Sequence, residues 1–247
     1  MGHPRLDDWL VENGHYNTRA RARDAIRRGC ITMAGEASVK PSRKVADDGG
    51  VTINDPAKHL VSRAGLKLEA ALKETGFDPS GKTCLDIGAS TGGFCQVLLN
   101  HGAKKVYGVD VGQDQLDESL QQHPRLVSLE GINARELKPE HLGNEQPEFL
   151  TCDVSFISLR LALPPALQMA SPGARGIFLV KPQFEVGKEG IGRGGIVREE
   201  GLALKAATNI RDWFHGETGW QCTHFMPSPI KGGDGNAEYL MAGYRDE

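Results

Sequence analysis

The chain has 247 residues and a mass of 26.7 kDa, which is enough for one large domain or for a large domain joined to a small one. Its mean hydropathy is -0.38, which is typical of a soluble globular protein, and no apolar run approaches the roughly 18 to 20 residues that a membrane-spanning helix needs. The net charge of -3 hides an asymmetry, because residues 1–63 carry 11 Lys and Arg against 8 Asp and Glu, while the remainder carries 18 against 24. A basic front on an acidic body indicates that the front binds an anion.

The cysteines and the N-terminus indicate a compartment. The five cysteines are scattered and include no C-x-x-C pair, so they predict neither a disulfide framework nor a zinc site. The first residues contain no apolar segment that would direct export. These patterns predict a cytoplasmic protein without a bound metal.

Residues 1–55 are predicted to form a small separate domain. A first helix around Leu6 and Leu10 is followed by a second that begins at Asn17 or Thr18 and ends at Gly29. Short strands are expected near residues 31–33, 39–40, 45 and 51–53, with a turn at 47–50. The second helix presents a row of arginines spaced by four, which suits the phosphate oxygens of a nucleic acid. The alternative is a solvated charged face, which is the usual role of a charge run.

Residues 56–61 are predicted to be a linker, and residues 62–247 a second domain in which strands and helices alternate. A pair of strands is expected at its end. Such alternation predicts an α/β fold of the Rossmann-like type, with an open, mostly parallel sheet and helices on both faces. The expected strands are 83–87, 105–110, 126–130, 148–152, 175–180, 220–226 and 237–244, and the expected helices are 62–72, 94–99, 159–169 and 197–214.

The first strand of this domain runs into a glycine turn that leads directly into a helix. Such a turn lets a ligand approach the backbone and meet the N–H groups of the helix N-terminus. The spacing is not G-x-G-x-x-G, which disfavours a dinucleotide, whereas an acid that can take a ribose diol ends the second strand. This combination favours S-adenosylmethionine, which has a ribose but no phosphates; an ordinary strand-turn-helix with incidental glycines is the alternative. The predicted cofactor contacts are Asp86, Gly88, Ala89, Ser90, Thr91, Gly92, Gly93, Phe94, Asp110 and, through an adenine edge, Asn133.

Two charged residues at other strand ends are candidates for the chemistry. Asp153 and Lys181 each end an apolar strand, and the carboxyl ends of parallel strands share one edge of the sheet. After Lys181 comes a basic, glycine-rich loop, residues 187–195, which is predicted to be mobile. It is expected to close over RNA with Lys188 and Arg193 on phosphates, or else to be a plain flexible connection.

The N-terminal pattern resembles a known RNA-binding family. The sequence R-L-D-x-x-L, the arginine helix, I-R-R-G-C-I-T-M-A-G and K-P-S-R-K-V are similar to the S-four RNA-binding domain. That resemblance implies contacts to the phosphate backbone of structured RNA, which fix position rather than read sequence. The residues it assigns to this role are Arg19, Arg21, Arg23, Arg27, Lys40 and Arg43.

Four motifs of the larger domain resemble the hemolysin A (TlyA) family. They are residues 62–68, 86–94, 152–158 and 180–185, and they occur in the same order along essentially the whole chain. The family joins an S-four domain to an FtsJ-like ribosomal RNA methyltransferase, so the resemblance implies that activity here. It also implies a Lys-Asp-Lys-Glu catalytic tetrad, which falls on Lys67, Asp153, Lys181 and Glu238. The one departure is Ala64, where the family often has a glycine.

Such a tetrad suits methylation of a ribose 2′-hydroxyl. This hydroxyl is a poor nucleophile, so a neighbouring group must accept or orient its proton as the methyl group arrives in line. Lys181 is the expected central group, with Lys67 as a nearby like charge and Asp153 and Glu238 orienting the two ammonium groups. A base-nitrogen methyltransferase would show Asn/Asp-Pro-Pro-aromatic after the fourth strand, and residues 153–156 do not match it.

The resemblance also bears on the substrate. The chain starts close to its RNA-binding module and stops soon after its last strand, like the shorter type in the family, which favours large-subunit ribosomal RNA. Two other classes stay open at this point. One is a non-catalytic RNA-binding assembly factor; the other is a cytolysin, as the family name suggests, although no amphipathic or apolar insertion segment is found. The patterns do not predict an oligomeric state.

Overall fold

In the computed structural model the chain separates into two compact units, Met1–His59 and Leu60–Glu247. The structure describes residues 3–36, 39–46 and 50–246, so the turn expected at 47–50 lies outside the described residues except for Gly50. The division after His59 falls within the stretch 56–61 that the sequence analysis treats as a linker. Among the described helices, none combines the length and apolar character needed to cross a membrane.

The first unit packs two helices against a short antiparallel strand pair. Its elements are α1 (Leu6–Glu12), α2 (Arg19–Arg27), β1 (Ile31–Met33) and β2 (Val51–Ile53). The Thr18 side chain accepts a hydrogen bond from Arg21 N and so caps α2. The strands expected at 39–40 and 45 are wrong: Val39 and Val45 are buried side chains of the core, and Lys44 makes only an isolated bridge to Arg5.

The second unit is built on a seven-stranded sheet, and its predicted α/β architecture is confirmed. The strands are β3 (Thr83–Ile87), β4 (Lys105–Asp110), β5 (Leu126–Glu130), β6 (Phe149–Cys152), β7 (Arg175–Val180), β8 (Trp220–Pro227) and β9 (Tyr239–Arg245). They lie in the order β5-β4-β3-β6-β7-β9-β8, where the first five are parallel and β9 is antiparallel to both neighbours. The chain order reverses between β3 and β6, and ligands bind at such a switch point beyond the carboxyl ends of the strands.

Helices cover the sheet. They are α3 (Gly65–Thr75), α4 (Gly93–Asn100), α5 (Glu118–Gln121), α6 (Leu159–Ala162), α7 (Pro164–Met169) and α8 (Glu200–Glu217). The single helix expected over 159–169 is divided in two because Pro164 has no N–H to continue the hydrogen-bond ladder. The helix expected from residue 197 begins only at Glu200, because Val197 instead forms an isolated bridge with Ile191.

Candidate active site

A cavity of about 560 Å³ lies at the carboxyl ends of β3 and β4, at the switch point of the sheet. It is lined by the glycine turn after β3, by the end of β4 and by the segment after β6. Its wall is largely apolar and includes Val109, Val111, Ile132, Val154 and Ile157. An elongated molecule with an apolar ring and a few polar groups suits such a wall.

The glycine turn is shaped by close contacts that only glycine allows. Gly88 has φ +83°, and a Cβ atom there would lie 2.9 Å from the carbonyl oxygen of Asp153. Gly92 has φ +89°, and its Cβ would lie 2.5 Å from Leu120 Cδ1. The absence of a side chain at Gly88 therefore lets the turn approach the segment after β6, and its absence at Gly92 leaves room for Leu120.

Asp110 fixes the turn from the neighbouring strand. Its two carboxylate oxygens accept hydrogen bonds from Ser90 N (2.8 Å) and Gly112 N (2.7 Å), while the residue also lines the 560 Å³ cavity. Asn133 lines the same cavity and its side-chain oxygen accepts from Arg135 N at 3.1 Å. The Asn133 amide nitrogen has no partner among the described residues and can donate to a ligand.

Asp86 lies beneath the turn rather than in the cavity wall. Its carboxylate is fully buried and accepts hydrogen bonds from Thr151 Oγ1 (2.7 Å) and Cys95 Sγ (3.0 Å). Burial raises the pKa of Asp86 to about 6 in spite of these two donors, which lower it. The structure thus separates Asp86 from the other predicted cofactor contacts. Gly88, Ala89, Ser90, Thr91, Gly93 and Phe94 line a smaller adjoining cavity of about 210 Å³.

Four charged side chains of the predicted tetrad form two ion pairs at the same end of the sheet. Lys181 Nζ lies 2.6 Å from Asp153 Oδ1, and it also donates to Ser155 Oγ at 2.8 Å. Lys67 Nζ donates to Glu238 Oε2 at 2.6 Å, although the two residues are 171 positions apart in the chain.

Residues of the two ion pairs line the same cavities. Lys181 and Glu238 line a third cavity, of about 460 Å³, and Lys181 and Asp153 line the small cavity beneath the glycine turn. Ser155 lines all three cavities. The 560 Å³ and 460 Å³ cavities therefore adjoin at Ser155, the residue to which Lys181 donates its hydrogen bond.

Sequence reasoning missed two aromatic side chains. Phe156 is 90% exposed and has φ +66°, a left-handed conformation that is strained for a side chain of this size. Its ring lies 5.2 Å from that of Phe184, centroid to centroid, and Phe156 lines both of the larger cavities. A signal was present, because each phenylalanine follows a strand-end charged residue by three positions: Asp153 precedes Phe156 and Lys181 precedes Phe184.

The glycine-rich loop after Lys181 is attached to the segment before β9. The buried Asn236 side chain accepts from Val197 N (2.9 Å) and donates to Gly195 O (3.0 Å). Gly194 and Gly195 line the 460 Å³ cavity, whereas Lys188 and Arg193 are exposed. The loop therefore forms one wall of the cavity that contains Lys181.

In the first unit, the predicted RNA contacts are not equally available. The buried Asp7 accepts hydrogen bonds from Arg23 Nε (2.6 Å), Arg19 (3.1 Å) and Arg5 (3.0 Å). Burial alone would raise the pKa of Asp7, but the three guanidinium groups hold it below its ordinary value. Arg19 and Arg23 thus have a structural partner, although both remain partly exposed.

The other four predicted RNA contacts differ in their bonding. Arg21 donates to Ala57 O (3.1 Å), and Arg43 is paired with Glu36. Arg27 donates to the backbone oxygen of Arg23 (3.3 Å), and Lys40 is exposed. Within the described residues, neither Arg27 nor Lys40 forms an ion pair with a carboxylate.

Comparison with known proteins gives consistent similarities. The chain is 40% identical over 238 residues to the 16S/23S rRNA (cytidine-2′-O)-methyltransferase TlyA of Mycobacterium tuberculosis, covering 96% of this chain and 88% of that protein. It is 41% identical over 193 residues to the 23S rRNA (cytidine-2′-O)-methyltransferase TlyA of Campylobacter jejuni, covering 77% of this chain and 73% of the relative. A solved Streptococcus thermophilus chain, provisionally named a hemolysin, superposes with a TM-score of 0.77 at 38% identity over 100% of this chain and 90% of its own. Residues 60–245 match the model of the FtsJ-like methyltransferases, and the chain therefore belongs to that family.

Proposed function

We propose that this protein is an S-adenosylmethionine-dependent methyltransferase that methylates the 2′-hydroxyl of a ribose in ribosomal RNA. The observation that carries the proposal is the position of Lys181, which is held by Asp153 where the cavity beside the glycine turn meets the cavity that also contains Glu238. Lys181 thus lines both the 210 Å³ cavity beside the glycine turn, which adjoins the cavity that we assign to the methyl donor, and the 460 Å³ cavity that we assign to the substrate.

The residues of the 560 Å³ cavity fit S-adenosylmethionine. The side chains of Val109, Val111 and Ile132 suit the adenine ring, and Asn133 offers its amide to the ring edge. Asp110 accepts hydrogen bonds from the ribose diol, and it also accepts the hydrogen bond from Ser90 N that fixes the turn. Because Gly88 has no Cβ, the backbone of the turn is open to the remaining part of the S-adenosylmethionine molecule. Once bound, S-adenosylmethionine supplies a methyl group on a sulfonium sulfur.

Lys181 activates the ribose hydroxyl. Once Lys181 has lost one proton to solvent, its neutral amine would accept the 2′-hydroxyl proton while the bond from that oxygen to the methyl carbon forms and the bond from the methyl carbon to sulfur breaks. Asp153 would stabilise the resulting ammonium. Ser155 holds the same nitrogen from a second side and so fixes its direction. Glu238 lines the 460 Å³ cavity, and Lys67 lies behind it in the buried ion pair, where the second ammonium group adds positive charge near the reacting oxygen.

Phe156 binds the base of the target nucleotide. Sequence-specific and structure-specific RNA proteins stack unpaired bases on exposed aromatic rings, and Phe156 is exposed at the entrance to both large cavities. A base stacked there would carry its ribose toward Lys181. The basic residues of the first unit, Arg27 and Lys40 above all, would hold the surrounding RNA by its phosphates.

Large-subunit ribosomal RNA is the favoured substrate. The names of both curated relatives include 23S rRNA, whereas only one of them includes 16S rRNA. Such a substrate implies a cytoplasmic enzyme. The test is to incubate the protein with methyl-labelled S-adenosylmethionine and separated ribosomal subunits, and to map the labelled nucleotide. Label in a ribose of large-subunit RNA is expected; RNA binding without label would favour a non-catalytic assembly factor, and label on a base nitrogen would refute the mechanism.

Lys181→Ala separates chemistry from cofactor binding. We expect methyl transfer to fall by about 10²–10⁴-fold, as for loss of a general base, while the affinity for S-adenosylmethionine stays nearly unchanged. Single-turnover assays and calorimetry measure the two quantities. Lys104→Ala, a lysine on the loop before β4, is the control and should have normal turnover. Normal turnover of Lys181→Ala itself would refute the role of Lys181.

A further inference from the structure

Two segments at the carboxyl ends of β6 and β7 are joined by three successive pairs of side chains. Lys181 contacts Asp153 and Ser155, and the ring of Phe184 contacts the ring of Phe156. The third pair involves Glu185, which the proposed mechanism does not use. Residues along the segment 181–185 therefore contact residues along the segment 153–159 in the same order.

Glu185 holds the far end of the segment that carries Phe156. Its carboxylate accepts a hydrogen bond from Ser158 Oγ (2.6 Å) and another from Leu159 N (2.9 Å). These groups begin α6, where Ser158 is the N-cap. A carboxylate at a helix start satisfies an N–H group that the helix leaves unpaired. Glu185 is half-buried and each of its carboxylate oxygens accepts one hydrogen bond, so its side chain is fixed in place.

Phe156 needs such support because its conformation is unfavourable. A phenylalanine at φ +66° persists only where the surrounding structure holds it, and its 90% exposed ring receives little support from packing. Lys181 holds the preceding residue, Ser155, and Glu185 holds Ser158, two residues beyond. The strained residue thus lies between two anchors that come from one short segment.

We propose that Glu185 is a positioning residue that keeps Phe156 in the conformation that accepts the target base. The inference rests on the proposed methyl transfer and adds to it a residue that touches neither donor nor acceptor. It requires that Glu185 act through Phe156, so its loss should matter only while the phenylalanine ring is present.

A double-mutant cycle tests this dependence. In steady-state methyl transfer to large-subunit RNA, Phe156→Ala should lower kcat/KM for RNA by roughly tenfold, as for loss of one stacked base. Glu185→Ala should lower it by a similar factor, with an unchanged KM for S-adenosylmethionine. The double variant should be no worse than Phe156→Ala alone, because the two residues act as one unit. Losses that multiply in the double variant would overturn the proposal.

Conservative and control variants separate positioning from a general loss of stability. Glu185→Gln should retain nearly wild-type activity, because its oxygen still accepts from Leu159 N and its amide can donate to Ser158 Oγ. Glu148→Ala also removes a carboxylate that accepts a hydrogen bond from a backbone N–H, here Thr83 N (3.0 Å). This carboxylate lies at the amino ends of β3 and β6, away from the proposed site. It should behave like wild type. If Glu185→Ala does not fold, Ser158→Ala removes the donor instead and should show a smaller effect of the same kind.

A second readout does not depend on methyl transfer. Chymotrypsin cleaves after an exposed aromatic residue once the backbone can leave its folded conformation. Cleavage after Phe156 should be about tenfold faster in Glu185→Ala than in wild type, and unchanged in Glu185→Gln and Glu148→Ala. Equal rates in all four proteins would overturn the positioning role. If wild type transfers no methyl group, the proposed function fails, and this comparison still decides the role of Glu185.

Discussion

Lys67 and Glu238 form an ion pair whose side chains are only 7% and 3% exposed. Removing one partner of such a pair leaves an uncompensated buried charge, so Lys67→Met should lower the free energy of unfolding by about 3–5 kcal/mol. The double variant Lys67→Met/Glu238→Leu should recover most of that stability, because apolar side chains of similar volume can replace a buried ion pair. Methyl transfer should not recover, since the proposed positive charge is absent from both variants.

Urea unfolding and the methyl-transfer assay measure these two effects. Lys105→Met is the matched control, because Lys105 is paired with Glu145 in an exposed ion pair, and its loss should cost less than about 1 kcal/mol. Activity in the double variant would mean that the buried pair supports only the fold.

The residues that form this pair were not predictable from local pattern. Asp153 and Lys181 stand out in the sequence because each ends an apolar strand, whereas Lys67 lies in an ordinary helical pattern and Glu238 in a turn-rich stretch. Only the resemblance to a known family selected these two. For Asp86, by contrast, the local pattern predicted a cofactor contact that the structure does not place in the cavity. Its strand is buried on both faces, so its carboxylate is hydrogen-bonded to Thr151 and Cys95 inside the protein instead of reaching a ligand.

The glycine turn after β3 is the element on which cofactor binding depends. Gly88→Ala adds a methyl group 2.9 Å from Asp153 O in a left-handed conformation, so it should displace the segment after β6. We expect loss of measurable S-adenosylmethionine binding by calorimetry, together with loss of stability. Gly81→Ala is the matched control, because Gly81 has φ +70° but nothing within 4 Å of the added Cβ.

The control isolates backbone strain from steric contact. Gly81→Ala should cost about 1–2 kcal/mol of stability and leave cofactor affinity unchanged. If both variants bind S-adenosylmethionine normally, the close approach of the turn to Asp153 is not required for the site.

The strands were easier to predict from the sequence than the helices. The five parallel strands agree with the expected ranges to within one residue, because each is a short apolar run bounded by charged residues, glycine or proline. The helix over 159–169 failed at Pro164, and α5 was missed because four residues give too little periodicity. Valines at 39 and 45 looked like strand residues, but both are buried in the core of the first unit, where the chain beside Val45 makes only the isolated bridge from Lys44 to Arg5.

The whole molecule joins a basic N-terminal segment to an acidic body. The formal charge of residues 1–63 is positive, with 11 Lys and Arg against 8 Asp and Glu, whereas the rest of the chain, which carries the proposed site, is negative. Because an acidic body repels RNA, we expect the basic N-terminal segment to supply much of the attraction to phosphate. Its basic residues differ in how free their charge is to bind phosphate. Arg23 is paired with the buried Asp7, whereas Arg27 and Lys40 have no carboxylate partner among the described residues.

This difference predicts how RNA affinity depends on salt. Each phosphate that a protein neutralises steepens the fall of log K with log salt by about 0.7 to 0.9, so Arg27→Ala and Lys40→Ala should each make the slope shallower by about that amount. Lys73→Ala removes the same charge from an exposed position at the end of α3 in the second unit and should leave the slope unchanged. Arg23→Ala should instead lower the unfolding midpoint, because the buried Asp7 loses one of its three donors. Filter binding over a range of salt concentrations measures the slopes, and thermal unfolding measures the midpoint. An equal change of slope for Lys73→Ala would show that RNA is held by charge spread over the molecule rather than by the basic unit.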